Sequence, residues 1–119
     1  MAMDKSYAEG NGVTVTNTET SIAVDGGTTT GVPVARTDDG IYQLFLDGIA
    51  NMVKGDQFRV KVYEMAIDVA RVVFQCDLYG AQAEMFVMPP LRLGVGWDIT
   101  LQRISASSRA FDWRISRIY

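Results

Sequence analysis

Apolar and polar residues alternate with period two near the end of the chain. Trp97, Ile99 and Leu101 are separated by Asp98 and Thr100; Phe111, Trp113 and Ile115 are separated by Asp112 and Arg114. Successive side chains of a β-strand point to opposite faces, so this pattern predicts two strands that each bury one face and wet the other. Phe58, Val60 and Val62, interleaved with Arg59 and Lys61, predict a third strand running to Met65. Residues 41–47 form another candidate, and Arg71 to Tyr79 is rich in the β-branched and aromatic residues that fit a pleated surface. Between these two strands, Ala66 to Val69 either prolongs the first or turns toward the second. Glu84 to Met88 predicts a short strand halted by Pro89-Pro90, whose missing N–H groups suit an edge or a crossover. Leu91 to Leu93 resumes it. Ala50 to Val53 is too short for a stable isolated helix. Lys54-Gly55-Asp56 and Ser105 to Ser108 read as turns.

The first forty residues have a different texture. Threonine and glycine dominate, and no aromatic residue falls between Tyr7 and Tyr42. Short strands are expected at residues 12–16 and 21–24, with a loop from Asp25 to Pro33. Residues 1–38 are therefore either an arm that orders on a partner or an edge region of the same domain, and residues 39–119 hold the core. Seven to nine strands separated by turns, without helical periods between them, predict an all-β fold. The expected architecture is a single antiparallel β-sandwich, jelly-roll-like, with a Thr/Gly-rich N-terminal arm. Its core is expected to contain Phe58, Val60, Val62, Trp97, Ile99, Leu101, Phe111, Trp113 and Ile115.

A length of 119 residues suits one domain able to build its own core. The net charge of −3 and the lack of a long basic run argue against a nucleic-acid partner. Charge is uneven along the chain: residues 1–40 carry six acids and two bases, whereas residues 97–119 carry two acids and four arginines. Two readings follow, a solvated surface or a self-complementary assembly in which opposite ends of neighbouring copies meet. The single cysteine, Cys76, excludes an intramolecular disulfide, and the absence of histidine excludes a Cys–His nucleophile and a histidine metal site. The first residues contain no apolar core of a signal peptide, and no apolar run is long enough to span a bilayer as a helix, so no membrane partner is expected.

Candidate chemistry is sparse. Asp38-Asp39 before Gly40 suits a turn better than a calcium loop, which needs six to eight oxygens. Glu64, Asp68 and Asp77 lie on or beside strands with no spacing that marks a general acid and base. Gly94-Val95-Gly96 and Gly26-Gly27-Thr28 lack the remaining elements of a phosphate loop. Trp97 and Trp113 share the apolar register of their strands and suit the core better than a sugar platform. Met85, Phe86 and Met88 either fill core gaps or form an apolar contact surface beside the prolines. No catalytic, cofactor-binding or metal-binding residue is assigned, and no cofactor is expected.

One resemblance adds a function. The segments Asp39-Gly40-Ile41-Tyr42-Gln43-Leu44-Phe45-Leu46-Asp47, Gly55-Asp56-Gln57-Phe58-Arg59-Val60-Lys61-Val62-Tyr63-Glu64, Gly94-Val95-Gly96-Trp97-Asp98-Ile99-Thr100-Leu101 and Trp113-Arg114-Ile115 resemble small virion proteins of tailed bacteriophages. The likeness covers about two thirds of the chain and lies in arrangement: a Thr-rich start, a Gly-Asp turn and a Gly-Trp-Asp strand. Similar proteins are capsid decoration, or cement, proteins. The resemblance implies a non-enzymatic protein made in the host cytoplasm and placed on the capsid exterior. It further implies the major capsid protein as partner and self-association as a homotrimer. Alternatives are another virion subunit, from a tail tube or head–tail connector, and a small carbohydrate-binding β-sandwich.

Overall fold

The computed structural model describes residues 5–47, 52–66, 69–80, 85–105 and 107–118. Among these residues every regular element is a strand. They are β1 (Lys5–Val15), β2 (Thr20–Ser21), β3 (Gly40–Asp47), β4 (Gln57–Ala66), β5 (Val69–Tyr79), β6 (Phe86–Val87), β7 (Leu91–Leu93), β8 (Trp97–Ser105) and β9 (Arg109–Arg117). One sheet has the order β1-β9-β3-β6, with β7 also on β3; the other has the order β2-β8-β4-β5. All pairings are antiparallel.

The pairings nest. β4 pairs with its immediate successor β5, β3 with β6 and β7, β2 with β8, and β1 with β9. A chain doubled back on itself in this way and rolled into two facing sheets is a jelly roll, the expected architecture. β6 and β7 act as one interrupted edge strand. Val87 lies opposite Phe45 and Leu91 opposite Tyr42, with Pro89-Pro90 in the gap. Prolines are tolerated there because, among the described residues, no strand pairs on the far side.

Period-two burial builds the core between the sheets. Tyr42, Leu44 and Leu46 come from β3 and Phe58, Val60 and Val62 from β4; Trp97, Ile99 and Leu101 come from β8 and Phe111, Trp113 and Ile115 from β9. Phe58 and Phe111 meet edge to face across the sheets at 4.8 Å. Tyr7, Tyr42 and Trp97 form a second aromatic group, with Tyr42 and Trp97 ring centroids 4.3 Å apart. Such contacts add about 0.5–1.5 kcal/mol per pair beyond the area buried.

Residues 5–38 are built into the sandwich as its edge. β1 pairs along its length with β9, and Ala8, Val15, Ile22 and Ala23 are buried. β1 starts well before the expected residue 12. The Gly10-Asn11-Gly12 stretch is a bulge in a continuous strand, with Gly12 at φ 63. The expected strand at 21–24 is reduced to Thr20–Ser21; beyond it the chain turns through Gly26 and Gly27, both at positive φ. Of the remaining expectations, Asp68, Glu84, the link between Ala66 and Val69, and Ala50 of the 50–53 segment fall outside the described residues.

The expectation that β8 wets one face is corrected. Trp97 through Leu101 are all buried, including Asp98 and Thr100 on the outward face. β8 is an inner strand of its sheet, and the segment running from Glu19 through Val34 crosses its outer side.

Candidate functional site

The polar side chains that looked like candidate chemistry mostly serve as clamps. Asp98 accepts hydrogen bonds from Ser21 Oγ (2.7 Å), Val34 N (2.7 Å) and Ile99 N (2.8 Å). Burial outweighs those three donors and pushes its carboxyl up to about 6. Glu19 accepts from Tyr63 Oη (2.6 Å) and Thr100 Oγ1 (2.5 Å), and burial followed by this carboxylate raises the Tyr63 phenol. Asp38 anchors the aromatic group: its carbonyl accepts from Tyr42 Oη and Trp97 Nε1, and its carboxylate accepts from Tyr7 Oη. That is a tie between strands rather than a calcium loop.

Glu64 accepts from Gly94 N, fastening the loop before β8. Asp77 is paired with Arg59 at 2.8 Å and accepts from Gln57, and the guanidinium holds its carboxyl below the usual range. Glu64 and Asp77 thus have separate structural partners and do not converge. Asp56, buried in the turn before β4, accepts from Arg109 Nε (2.7 Å) and Val53 N (2.9 Å); its pKa is lowered by the Arg109 hydrogen bond first. Among the described residues, no group of three or more His, Cys, Asp or Glu side chains could hold a metal ion. Trp97 and Trp113 are in the core, as their register predicts. Met88 is buried, Phe86 half-buried, and Met85 half exposed.

Two surface features remain. The first is an open cleft of about 1040 Å³ at the β1–β9–β3 sheet. Register places Arg114 between Glu9 on β1 and Phe45 on β3, with its guanidinium 4.9 Å over the Phe45 ring. Asp25, Asp47 and Asp112 also line the cleft, with Met85 and Trp113 supplying apolar wall. Two of the carboxylates hold the backbone: Asp112 accepts from Gly12 N (2.6 Å) and Asp25 from Glu9 N (2.9 Å). The cleft offers hydrogen-bond acceptors, one guanidinium and aromatic surface. That inventory can bind a polar segment and supplies no activated nucleophile.

The second feature is apolar surface along strand edges. Val69, Val72, Val73 and Tyr79 on β5 are exposed, as are Met85 and Val87 at β6. Sequence reasoning singled out Met85 but missed β5, since a run of β-branched residues reads equally well as an interior strand. Its position at the sheet edge becomes visible only when β4 is seen to pair with β8 on its other side.

No known family, characterised protein or solved structure matches this chain.

Proposed function

We propose that this chain is a non-enzymatic structural protein that decorates a bacteriophage capsid and stabilises it by bridging neighbouring capsomers. The observation that carries the reading is the position of its apolar surface. Val72, Val73, Tyr79, Met85 and Val87 are 45% to 56% exposed, and they sit along strand edges rather than in an enclosed pocket. Apolar groups grouped on a sheet edge suit contact with another protein. The polar clamps around Asp98, Asp38 and Asp56 are used internally, tying loops and strands of the module to one another. The jelly roll is also an architecture used by capsid proteins, a support by fold analogy only. The phage-like segments Asp39–Asp47 and Gly94–Leu101 supply β3 and the start of β8, which frame the core.

Co-sedimentation tests the attachment. Empty shells prepared without this protein, mixed with increasing amounts of it, should carry it into the pellet to a fixed saturating ratio. Protein that stays in the supernatant at all ratios removes the role.

A second reading, a carbohydrate-binding sandwich, is favoured by the cleft, where Phe45 and Trp113 adjoin Asp25, Asp47 and Asp112. A glycan array combined with tryptophan fluorescence titration tests it. Saturable quenching by a sugar would replace the decoration reading.

A further inference from the structure

Three of the four sheet edges are blunted among the described residues. β2 is two residues long, β1 carries two register shifts, and the β6–β7 edge is broken by Pro89-Pro90. Such devices prevent strands from pairing with other chains. β5 is eleven residues long and contains neither proline nor glycine. Its single irregularity is the bulged Val73, which has no register partner on β4, leaving a regular run from Phe74 to Tyr79.

The direction of the free peptide groups follows from the pairing. Met65 N donates to Gly96 O on the β8 side of β4. Odd-numbered residues of β4 therefore turn their peptide groups toward β8, and even-numbered ones toward β5. The β5 partners of Phe58, Val60 and Val62 are Leu78, Cys76 and Phe74, whose peptide groups are thus occupied. Within the regular run, the peptide groups of Gln75, Asp77 and Tyr79 face outward. On the inner face, Phe74 and Cys76 are only half-buried, so the core is thinly covered along this edge.

We infer that two copies of this chain associate through β5, antiparallel about a two-fold axis at Cys76. In this register Gln75 of one copy meets Asp77 of the other in hydrogen-bonded pairs made from the outward peptide groups. At the end of the run the bulged Val73 of one copy comes beside Tyr79 of the other, bringing together side chains that are 52% and 56% exposed in the single chain. On the inner face, the half-buried Phe74 of one copy meets Leu78 of the other and gains cover. Charge agrees with the register. Lys61 stands beside Gln75 on β4 and Arg59 beside Asp77. Each Asp77 therefore faces a neutral amide across the seam, with its own Arg59 behind it and a lysine beyond the amide.

Other registers are worse. A slip by two residues in one direction sets Asp77 against Asp77, and like charges directly opposite repel. The opposite slip moves Tyr79 past the bulge to Arg71 and takes it away from Val73. A slip by one residue turns the inner residues outward. The seam is two-fold, unlike the homotrimer that the phage resemblance implies, and it does not depend on the decoration reading: a dimer that ignores shells keeps the seam and loses the role.

The test uses the full chain. Sedimentation equilibrium should give twice the chain mass of 13.1 kDa. Cys76 reports the register, because facing residues of a non-hydrogen-bonded pair lie about 4.5 Å apart, within disulfide reach. Mild oxidation should therefore give a covalent dimer. Gln75→Pro removes an outward N–H, and Val73→Glu places charge in the seam. Both should be monomeric, folded by near-ultraviolet circular dichroism, and no longer cross-linked. If Gln75→Pro does not fold, Val73→Glu alone decides. A monomeric or trimeric wild type overturns the inference. Cross-linking that persists in the folded variants does so too, since it would mark a collisional disulfide.

Discussion

Ser21 on β2 donates a 2.7 Å hydrogen bond from its Oγ to Oδ1 of Asp98 on β8, and both residues are fully buried. Oδ2 of the same carboxylate accepts from Val34 N. One side chain thus fastens two points of the Thr/Gly-rich segment to the sheet, which explains how a segment poor in large apolar groups stays in place. Hydrogen bonds to a buried charged acceptor are worth about 1.5–3 kcal/mol each when their partners remain paired.

Asp98 should give the protein a stability slope in mild acid. Its folded-state pKa of about 6 lies above the ordinary value of 3.8, so the folded state holds the proton more tightly than the unfolded state. Stability then falls as pH rises through the range between those values and levels off above it. The shift corresponds to at most about 3 kcal/mol. Asp56 and Asp77 have lowered pKa values and act in the opposite sense, losing their contribution as pH falls below the ordinary carboxylate range. Urea midpoints measured from pH 4 to 7 should show the slope in wild type and a flatter profile in Asp98→Asn. Identical profiles for the two proteins would remove Asp98 from the account.

Trp113→Ala should cost about 3–5 kcal/mol, the usual range for deleting a large aromatic from a core. The ring is 4% exposed and lies over Gly10, where an added Cβ would come within 2.3 Å of it. Gly10→Ala should therefore destabilise by about 1–3 kcal/mol through overpacking. Thermal unfolding of both variants checks this. A loss below about 1 kcal/mol for Trp113→Ala would mean that the ring is not a core element.

Deletion of residues 1–20 should abolish cooperative folding. Sequence reasoning about an arm expects the opposite, a folded sandwich with weaker shell attachment. The truncation removes β1, which covers the edge of β9, and takes away the buried side chains of Ala8 and Val15. It also removes Glu19, the acceptor for Tyr63 and Thr100. Retention of the wild-type near-ultraviolet spectrum by the truncated chain would contradict this.

The sandwich was legible because alternation survives wherever one face is dry. Phe58, Val60 and Val62 alternate with charged neighbours, and the same holds for Phe111, Trp113 and Ile115. β1 was only half legible. Its expected start was residue 12, whereas the strand runs on through Gly10, which makes room for the Trp113 ring, and Gly12, which sits in a bulge. Asp98 was misplaced for a different reason: a charged residue between Trp97 and Ile99 predicts a wet face, and nothing local announces that a distant segment will cover it. The edge position of β5 was likewise invisible, because it depends on which strand fails to find a second neighbour. The surface cleft draws on β1, β3 and β9, distant in sequence, so its residues share no local pattern.

The claim that this chain cements a capsid is tested most directly by the heat resistance of shells. Empty shells lacking the protein, and the same shells saturated with it, are heated in parallel while light scattering and electron microscopy record rupture. Saturated shells should rupture at a higher temperature, with a shift that follows the bound amount until saturation. Shells that bind the protein yet rupture at the same temperature, or that bind none, contradict it.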